Sequence, residues 1–578
     1  EEDMNNAVEE VLLDYNGLAE GREYCRLGIY EISPSHAMLA FSVDFEGDEQ
    51  YTTYFKNLNT GELSENYIKN TESLQWANDN KTVFYTIRDE SQRPYKVYKH
   101  FLDTKRDELL IHELDQKFHV YLEKSMDRKF LFLISESAVT SEVHFIRADM
   151  PNSRPQLFLP RAQDVEYYVY HQDTNFYILT NQDGAKNFKL MVVDENADTT
   201  RQENWRAVFP YSPDVKLIHV DTFKDFLVIW ERTNGKTRAR VWRPNGEDHY
   251  MQFDEPGYTM NTALNEEYAN HVFRFSYSSF TTPASIYDYD VITRKKILRK
   301  QKQVPSYDSS LYRSERVFAN GHDGVSVPIS LVYRKDLFKF DGSNPMYLYG
   351  YGSYGLTIDP SFSTSRLSLL DRGIVFAIAH VRGGGMLGRS WYENGKYRQK
   401  ENTFKDFISV TEFLIAQKYT RSDRLAIKGA SAGGLLVGAV INTVPHLYKA
   451  AILDVPFVDI VNSMLDQSLP LTVIEHEEWG NPYDPEVFSY LMTYSPYDNI
   501  RPLKYPNILI TAGINDTRVQ YWEAAKYTAK LRSVNKGSLV LLKMNMNQGH
   551  LGAAGRYEHL FELAFEYTFV VLQILCNT

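Results

Sequence analysis

The chain has 578 residues, a formal net charge of −12 at pH 7, 43% hydrophobic and 24% charged residues. That length allows at least two domains, each with its own core, the composition is that of an ordinary globular protein, and the acidic balance argues against nucleic acid as a partner. Two cysteines, Cys25 and Cys576, cannot build a disulfide framework and fit a reducing, cytoplasmic compartment; no uninterrupted apolar stretch reaches membrane-spanning length.

The opening Glu1-Glu2-Asp3 lacks the character of a signal peptide. From there to about residue 305 the chain is rich in Tyr, Phe, Val and Ile, in short runs broken by turn residues. Similar units start at Gly28, Ser73, Phe118, Val165, Lys216 and Tyr258, spaced 42 to 51 residues apart. In the first four, a polar turn leads into an apolar strand: Met38–Phe41, Thr82–Tyr85, Phe130–Leu133 and Phe176–Leu179. That period, with room for four strands per unit, predicts propeller blades; a long β-sandwich would not need the regular spacing. The run Val11–Asp14 reads as the remnant of a further blade. The expectation is a seven-bladed all-β propeller over residues 1–305, its first blade incomplete in this chain.

From about Ser306 strands alternate with helices, the pattern of a doubly wound α/β-hydrolase domain over residues 306–578. Asp323-Gly324 reads as a hairpin turn, Met346–Tyr349 and Ile374–Ala379 as strands, and Thr403–Lys418 as an amphipathic helix capped by Asn402. The segment Phe561–Leu575 is apolar but carries Glu562 and Glu566, so it reads as a buried helix.

Gly429-Ala430-Ser431-Ala432-Gly433 is a G-x-S-x-G motif between an apolar run, Leu425–Ile427, and a helix-compatible run, Gly434–Val440. Strand, tight turn and helix are the setting in which this motif exposes a nucleophilic serine. The amide of Ala432 then becomes one donor for an oxyanion. A Gly-rich loop is the plainer reading, but it leaves the downstream residues unexplained. A serine needs a base, and the base an orienting acid, in the chain order Ser, acid, His. After residue 500 the histidines are His550, in a Gly-flanked loop behind the apolar run Leu539–Leu542, and His559, inside a helical pattern. Asp516 follows the strand-like Ile508–Gly513. Asp454 and Asp459 rank second as the acid because they follow Ser431 so closely. Ser431, Asp516 and His550 are the expected triad.

These residues, with Tyr349–Gly355, His380–Gly385, Val455–Asp459, Glu475–Pro482 and Ser495–Asn499, give the chain a resemblance to the prolyl oligopeptidase family of serine peptidases, and within it to the oligopeptidase B branch. The resemblance covers essentially the whole chain. It implies that Tyr351 joins Ala432 in the oxyanion hole. It implies that Glu475 and Glu477 receive a basic P1 side chain, that Phe457 lines that pocket, and that Arg518 holds a substrate backbone carbonyl. Carboxylates recognise a guanidinium in fork geometry, and the guanidinium stacks on an aromatic face. The implied partners are short peptides containing basic residues; no metal, cofactor or membrane is called for. The family carries a segment ahead of the propeller that packs on the hydrolase domain, whereas this chain opens inside the first blade.

Three readings compete. The first is a serine oligopeptidase cleaving after Arg or Lys. The second is an esterase or thioesterase on the same scaffold, against which the paired glutamates speak, since an acyl pocket needs no carboxylate. The plainer view is that these glutamates are ordinary surface residues. The third, a non-catalytic propeller that binds proteins, leaves the ordered Ser–Asp–His set without a use. A proline-specific variant would want an apolar P1 pocket.

Overall fold

A computed structural model describes residues 8–555 and 557–576; the opening Glu1–Asp3 lies outside the described residues. Residues 26–301 form six four-stranded antiparallel sheets, each strand hydrogen-bonded to its neighbour in sequence. Their first strands are Arg26–Ile32, Thr71–Trp76, His119–Lys124, Tyr167–Gln172, Lys216–Thr222 and Tyr258–Thr262. Each unit read from the sequence therefore begins at or beside the first strand of one sheet. Six separate sheets are blades, not the two faces of a sandwich. The second strands, such as Met38–Asp44 and Phe130–Glu136, are buried along almost their whole length. Both faces of a blade are covered by its neighbours, so these strands read as continuous apolar runs with no alternation. Phe130, Phe132 and Phe145 of one blade meet Tyr167, Phe176 and Ile178 of the next in a shared core. The outermost strand Lys295–Gln301 is exposed and lysine-rich, which blunts a sheet edge.

The run Val11–Asp14 forms no strand. Asp14 caps the short helix Tyr15–Ala19, its carboxylate accepting the amides of Asn16 and Gly17. Among the described residues no strand of a seventh blade precedes Arg26.

The last blade ends at Gln301, and an eight-stranded sheet begins at Tyr312. Tyr312–Asn320 and Ser326–Arg334 pair as a hairpin around Asp323-Gly324, with Gly324 at φ 85°. The parallel part follows in the order Val375–Ala379, Met346–Gly350, Leu425–Ala430, Ala450–Asp454, Asn507–Gly513, Val540–Asn545. Helices Glu401–Ala416, Ala432–Thr443 and Tyr521–Val534 bury one face, and Glu558–Ile574 covers the other. Strand order reverses beside Met346–Gly350. A ligand crevice opens at the carboxyl ends of the strands at such a switch point, and Tyr351 and Ser431 follow the two adjacent strands there.

Two local expectations are corrected. Asn402 does not cap its helix. The chain enters from a 3₁₀ turn at Tyr397–Gln399, the helix already includes Glu401, and Asn402 donates its amide to the Asn394 carbonyl. The C-terminal helix is only half buried. Phe569, Val570 and Ile574 pack on the sheet, whereas Phe561 is 77% exposed, because one helix face meets the sheet and the other turns outward.

Candidate active site

Ser431 sits between the strand Leu425–Ala430 and the helix Ala432–Thr443, with φ 56° and ψ −121°. An L-residue pays for such a backbone only where its surroundings enforce it. Here the Ser431 amide donates to the Asp454 carbonyl at 2.8 Å, and its own carbonyl accepts Phe457 N–H at 3.0 Å. Strand and helix approach so closely that a Cβ on Gly429 would lie 1.9 Å from the Gly433 carbonyl oxygen. The amide of Ala432 is the first of its helix and has no intrahelical acceptor. It points its share of the positive helix end at whatever sits over Ser431.

Asp516 and His550 follow the last two strands of the sheet, Asn507–Gly513 and Val540–Asn545. His550 Nδ1 lies 2.7 Å from Asp516 Oδ2, and Asp516 Oδ1 accepts the amides of Arg518 and Val519, each at 2.9 Å. A buried carboxylate with three donors is fixed in place and fixes the ring it holds. The other acid candidates are engaged elsewhere: Asp454 with Lys428 and Thr511, Asp459 with Lys526 and Asn462. His559 is exposed on the C-terminal helix.

Ser431, His550, Tyr351, Phe457, Glu475 and Arg518 line one cavity of about 260 Å³. The Tyr351 hydroxyl shares this cavity with Ser431, and burial raises its pKa. Phe457 is 6% exposed and packs against Trp479 with ring centroids 5.5 Å apart. Glu475 Oε2 accepts Trp479 Nε1–H at 2.5 Å and the Tyr354 hydroxyl at 2.9 Å. Burial pushes the Glu475 carboxyl up to about 7 against those two hydrogen bonds.

Glu477 is not brought to this cavity. Both glutamates lie on the helix Thr472–Trp479, and residues two apart on a helix point away from each other. Glu477 Oε2 is buried without a hydrogen-bond partner, and its charge acts on Lys396. Glu478 is fully buried and accepts the Tyr354 amide and the Tyr392 hydroxyl. Arg518 is forked on Glu49 of the first blade, through Nε at 2.9 Å and Nη2 at 2.7 Å. Burial works to raise the Glu49 carboxyl, but the Arg518 fork outweighs it and holds it below its ordinary value. No local pattern marks Tyr354 or Glu523 as cavity residues, or Glu49 as the partner of Arg518. Each owes its place to packing between distant segments.

The family model described as "Prolyl oligopeptidase, N-terminal beta-propeller domain" matches residues 1–302, and that described as "Prolyl oligopeptidase family" matches residues 360–574. Dipeptidyl aminopeptidase BI of Pseudoxanthomonas mexicana is 43% identical over 98% of this chain and 79% of its own length. Protease 2 of Moraxella lacunata is 41% identical over 98% of this chain and 82% of its own. The structure of oligopeptidase B from Leishmania major superposes with a TM-score of 0.95 at 37% identity, covering 99% of this chain and 82% of that one. The chain belongs to the prolyl oligopeptidase family and is a serine-type peptidase.

Proposed function

We propose that this serine oligopeptidase cleaves short peptides on the carboxyl side of Arg or Lys through an acyl-enzyme. The observation that carries the reading is a carboxylate, Glu475, on the wall of the cavity that also holds Ser431 and His550. Ser431 Oγ attacks the scissile carbonyl and His550 takes its proton, with Asp516 fixing the imidazole tautomer. The oxyanion that forms is stabilised by the Ala432 amide and the Tyr351 hydroxyl. His550 then protonates the leaving amine, the acyl-enzyme forms on Ser431, and water activated by the same histidine releases the product. A guanidinium at P1 meets Glu475 and lies against Phe457. Arg518, steadied by Glu49, offers its remaining N–H groups to a substrate backbone carbonyl.

An esterase would use the same steps, but a carboxylate beside Phe457 disfavours an apolar acyl group. The two cysteines, free in the structure, support a reducing, cytoplasmic setting, and no helix of the described residues is long and apolar enough to cross a membrane. The test is a panel of fluorogenic peptides differing only at P1. Arg should lead, with Lys behind it, since only the guanidinium makes a fork. Equal turnover of Arg and Leu peptides contradicts the reading.

A further inference from the structure

Glu475 is not the only carboxylate on this cavity wall. Glu523, from the first turn of the helix Tyr521–Val534, also lines it. At 1% exposure it is among the most buried acids of the protein. Its Oε2 accepts the amides of Val458 and Asp459, each at 2.8 Å, and its Oε1 accepts the Ser463 hydroxyl. Burial pushes this carboxyl up to about 7, against those three donors and with the charge of Asp459 adding to the rise.

The acceptor count matters. A carboxylate offers about four lone-pair positions. On Glu475 both protein hydrogen bonds fall on Oε2, which leaves Oε1 for a ligand. On Glu523 the two amides occupy Oε2 and one hydroxyl sits on Oε1, which leaves one position. A guanidinium brings five N–H donors, and each one buried without an acceptor costs desolvation energy. One carboxylate answers at most two of them in a fork. Glu477, the acid nearest in sequence, is directed elsewhere and cannot supply the rest.

We infer that Glu523, not Glu477, is the second acceptor for a basic P1 side chain, so that the pocket holds the cation between Glu475 and Glu523, which come from two different helices. The inference rests on the basic-P1 reading above and extends it. The same residue also ties the Phe457 loop to the helix Ile460–Leu465, through the Val458 and Asp459 amides and Ser463. A brace and an acceptor make different demands, and kinetics separates them. Loss of a brace slows every substrate. Loss of an acceptor slows those with a cationic P1 residue.

The experiment measures kcat/KM on matched Arg and Leu P1 peptides for the parent enzyme, Glu475→Gln, Glu477→Gln, Glu523→Gln and Ser463→Ala. Expected is a fall in the Arg:Leu ratio of about tenfold or more in Glu475→Gln and in Glu523→Gln, with the ratio unchanged in Glu477→Gln and Ser463→Ala. A Glu523→Gln enzyme that loses Arg and Leu turnover equally overturns the inference, as does a Glu477→Gln enzyme that takes over the selective loss. Neither result touches the basic-P1 reading. That reading falls only if the parent itself shows no preference for Arg. Should Glu523→Gln fail to fold, the parent enzyme tests the same claim with Nω-monomethylarginine at P1. A two-carboxylate pocket should disfavour it by about tenfold against Arg, and turnover equal to Arg overturns the inference.

Discussion

Ser431 holds its hydroxyl on a positive-φ backbone, and Tyr351, from the neighbouring strand end, lines the same cavity. In the proposed mechanism two donors, one amide and one phenol, face the oxyanion. Removing the phenol by Tyr351→Phe should lower kcat by about 10²–10³ while KM moves little, because the interaction forms in the transition state. A near-parental kcat would take Tyr351 out of the hole. In the proposed pocket the pH dependence belongs to Glu475 together with Glu523, both raised by burial to about 7. At Glu475, Glu478 adds to the rise, and the Trp479 and Tyr354 hydrogen bonds oppose it. Below that pH the empty pocket keeps a proton that a guanidinium has to displace. The Arg:Leu ratio of kcat/KM should therefore climb as pH rises through about 7 and then level, and climb less steeply in Glu475→Gln, where Glu523 alone is left to ionise in that range. Any group that serves both peptides alike cancels in the ratio. A ratio already flat in the parent contradicts this assignment. The same shift has a stability sign. A carboxyl whose folded pKa exceeds its unfolded one of about 4.3 binds more protons folded than unfolded, so its ionisation destabilises the fold as pH rises from there to about 7. Glu475→Gln should thus raise the melting temperature above pH 7 and leave it nearly unchanged below pH 4; a lower melting temperature at pH 8 would contradict the sign.

At the scale of elements, the strand–turn–helix around Ser431 depends on how closely two backbones approach. Gly429→Ala places a methyl group 1.9 Å from the Gly433 carbonyl oxygen, and neither backbone can yield without moving the nucleophile. The expected cost is about 1–3 kcal/mol in urea unfolding, with activity lost along with it; a variant of parental stability and activity would show that the turn tolerates a wider gap. Elements with strong local signals were legible in the sequence: the six blade starts, the hairpin at Asp323-Gly324, the Ser431 turn. The errors arose where a local signal competed with tertiary context. Val11–Asp14 has strand composition but no sheet to join, so Asp14 serves as a helix cap. Asn402 has cap chemistry, but the preceding 3₁₀ turn starts the helix earlier. Glu475 and Glu477 look like a pair in one dimension, and helical geometry separates them. Glu523 gave no sign, because its partners Val458, Asp459 and Ser463 lie 60 to 65 residues away.

In the whole molecule the propeller and the hydrolase domain meet on two sides. Arg232 is forked on Asp359 and Arg389 is paired with Glu166 on one side; Arg518 is forked on Glu49, and Asn515 donates to the Glu46 carbonyl, on the other. The His550 loop lies directly on the first blade, since a Cβ on Gly549 would come 2.1 Å from the Gly47 carbonyl oxygen. Segments 469 residues apart in sequence carry no local sign of each other, so this interface was the least legible part of the fold. Its consequence is steric. With blades over the catalytic loops, short peptides should be cleaved and a native globular protein such as albumin left intact; efficient digestion of native albumin would mean the site opens freely to folded chains. The account as a whole turns on whether the acidic cavity beside Ser431 reads a basic P1 residue. The most direct measurement is kcat/KM for matched Arg and Leu P1 peptides with the parent enzyme and Glu475→Gln. The account predicts a strong preference for Arg in the parent, reduced by about 2–5 kcal/mol in the variant while Leu turnover is retained. An Arg:Leu ratio that is the same in both enzymes would contradict it.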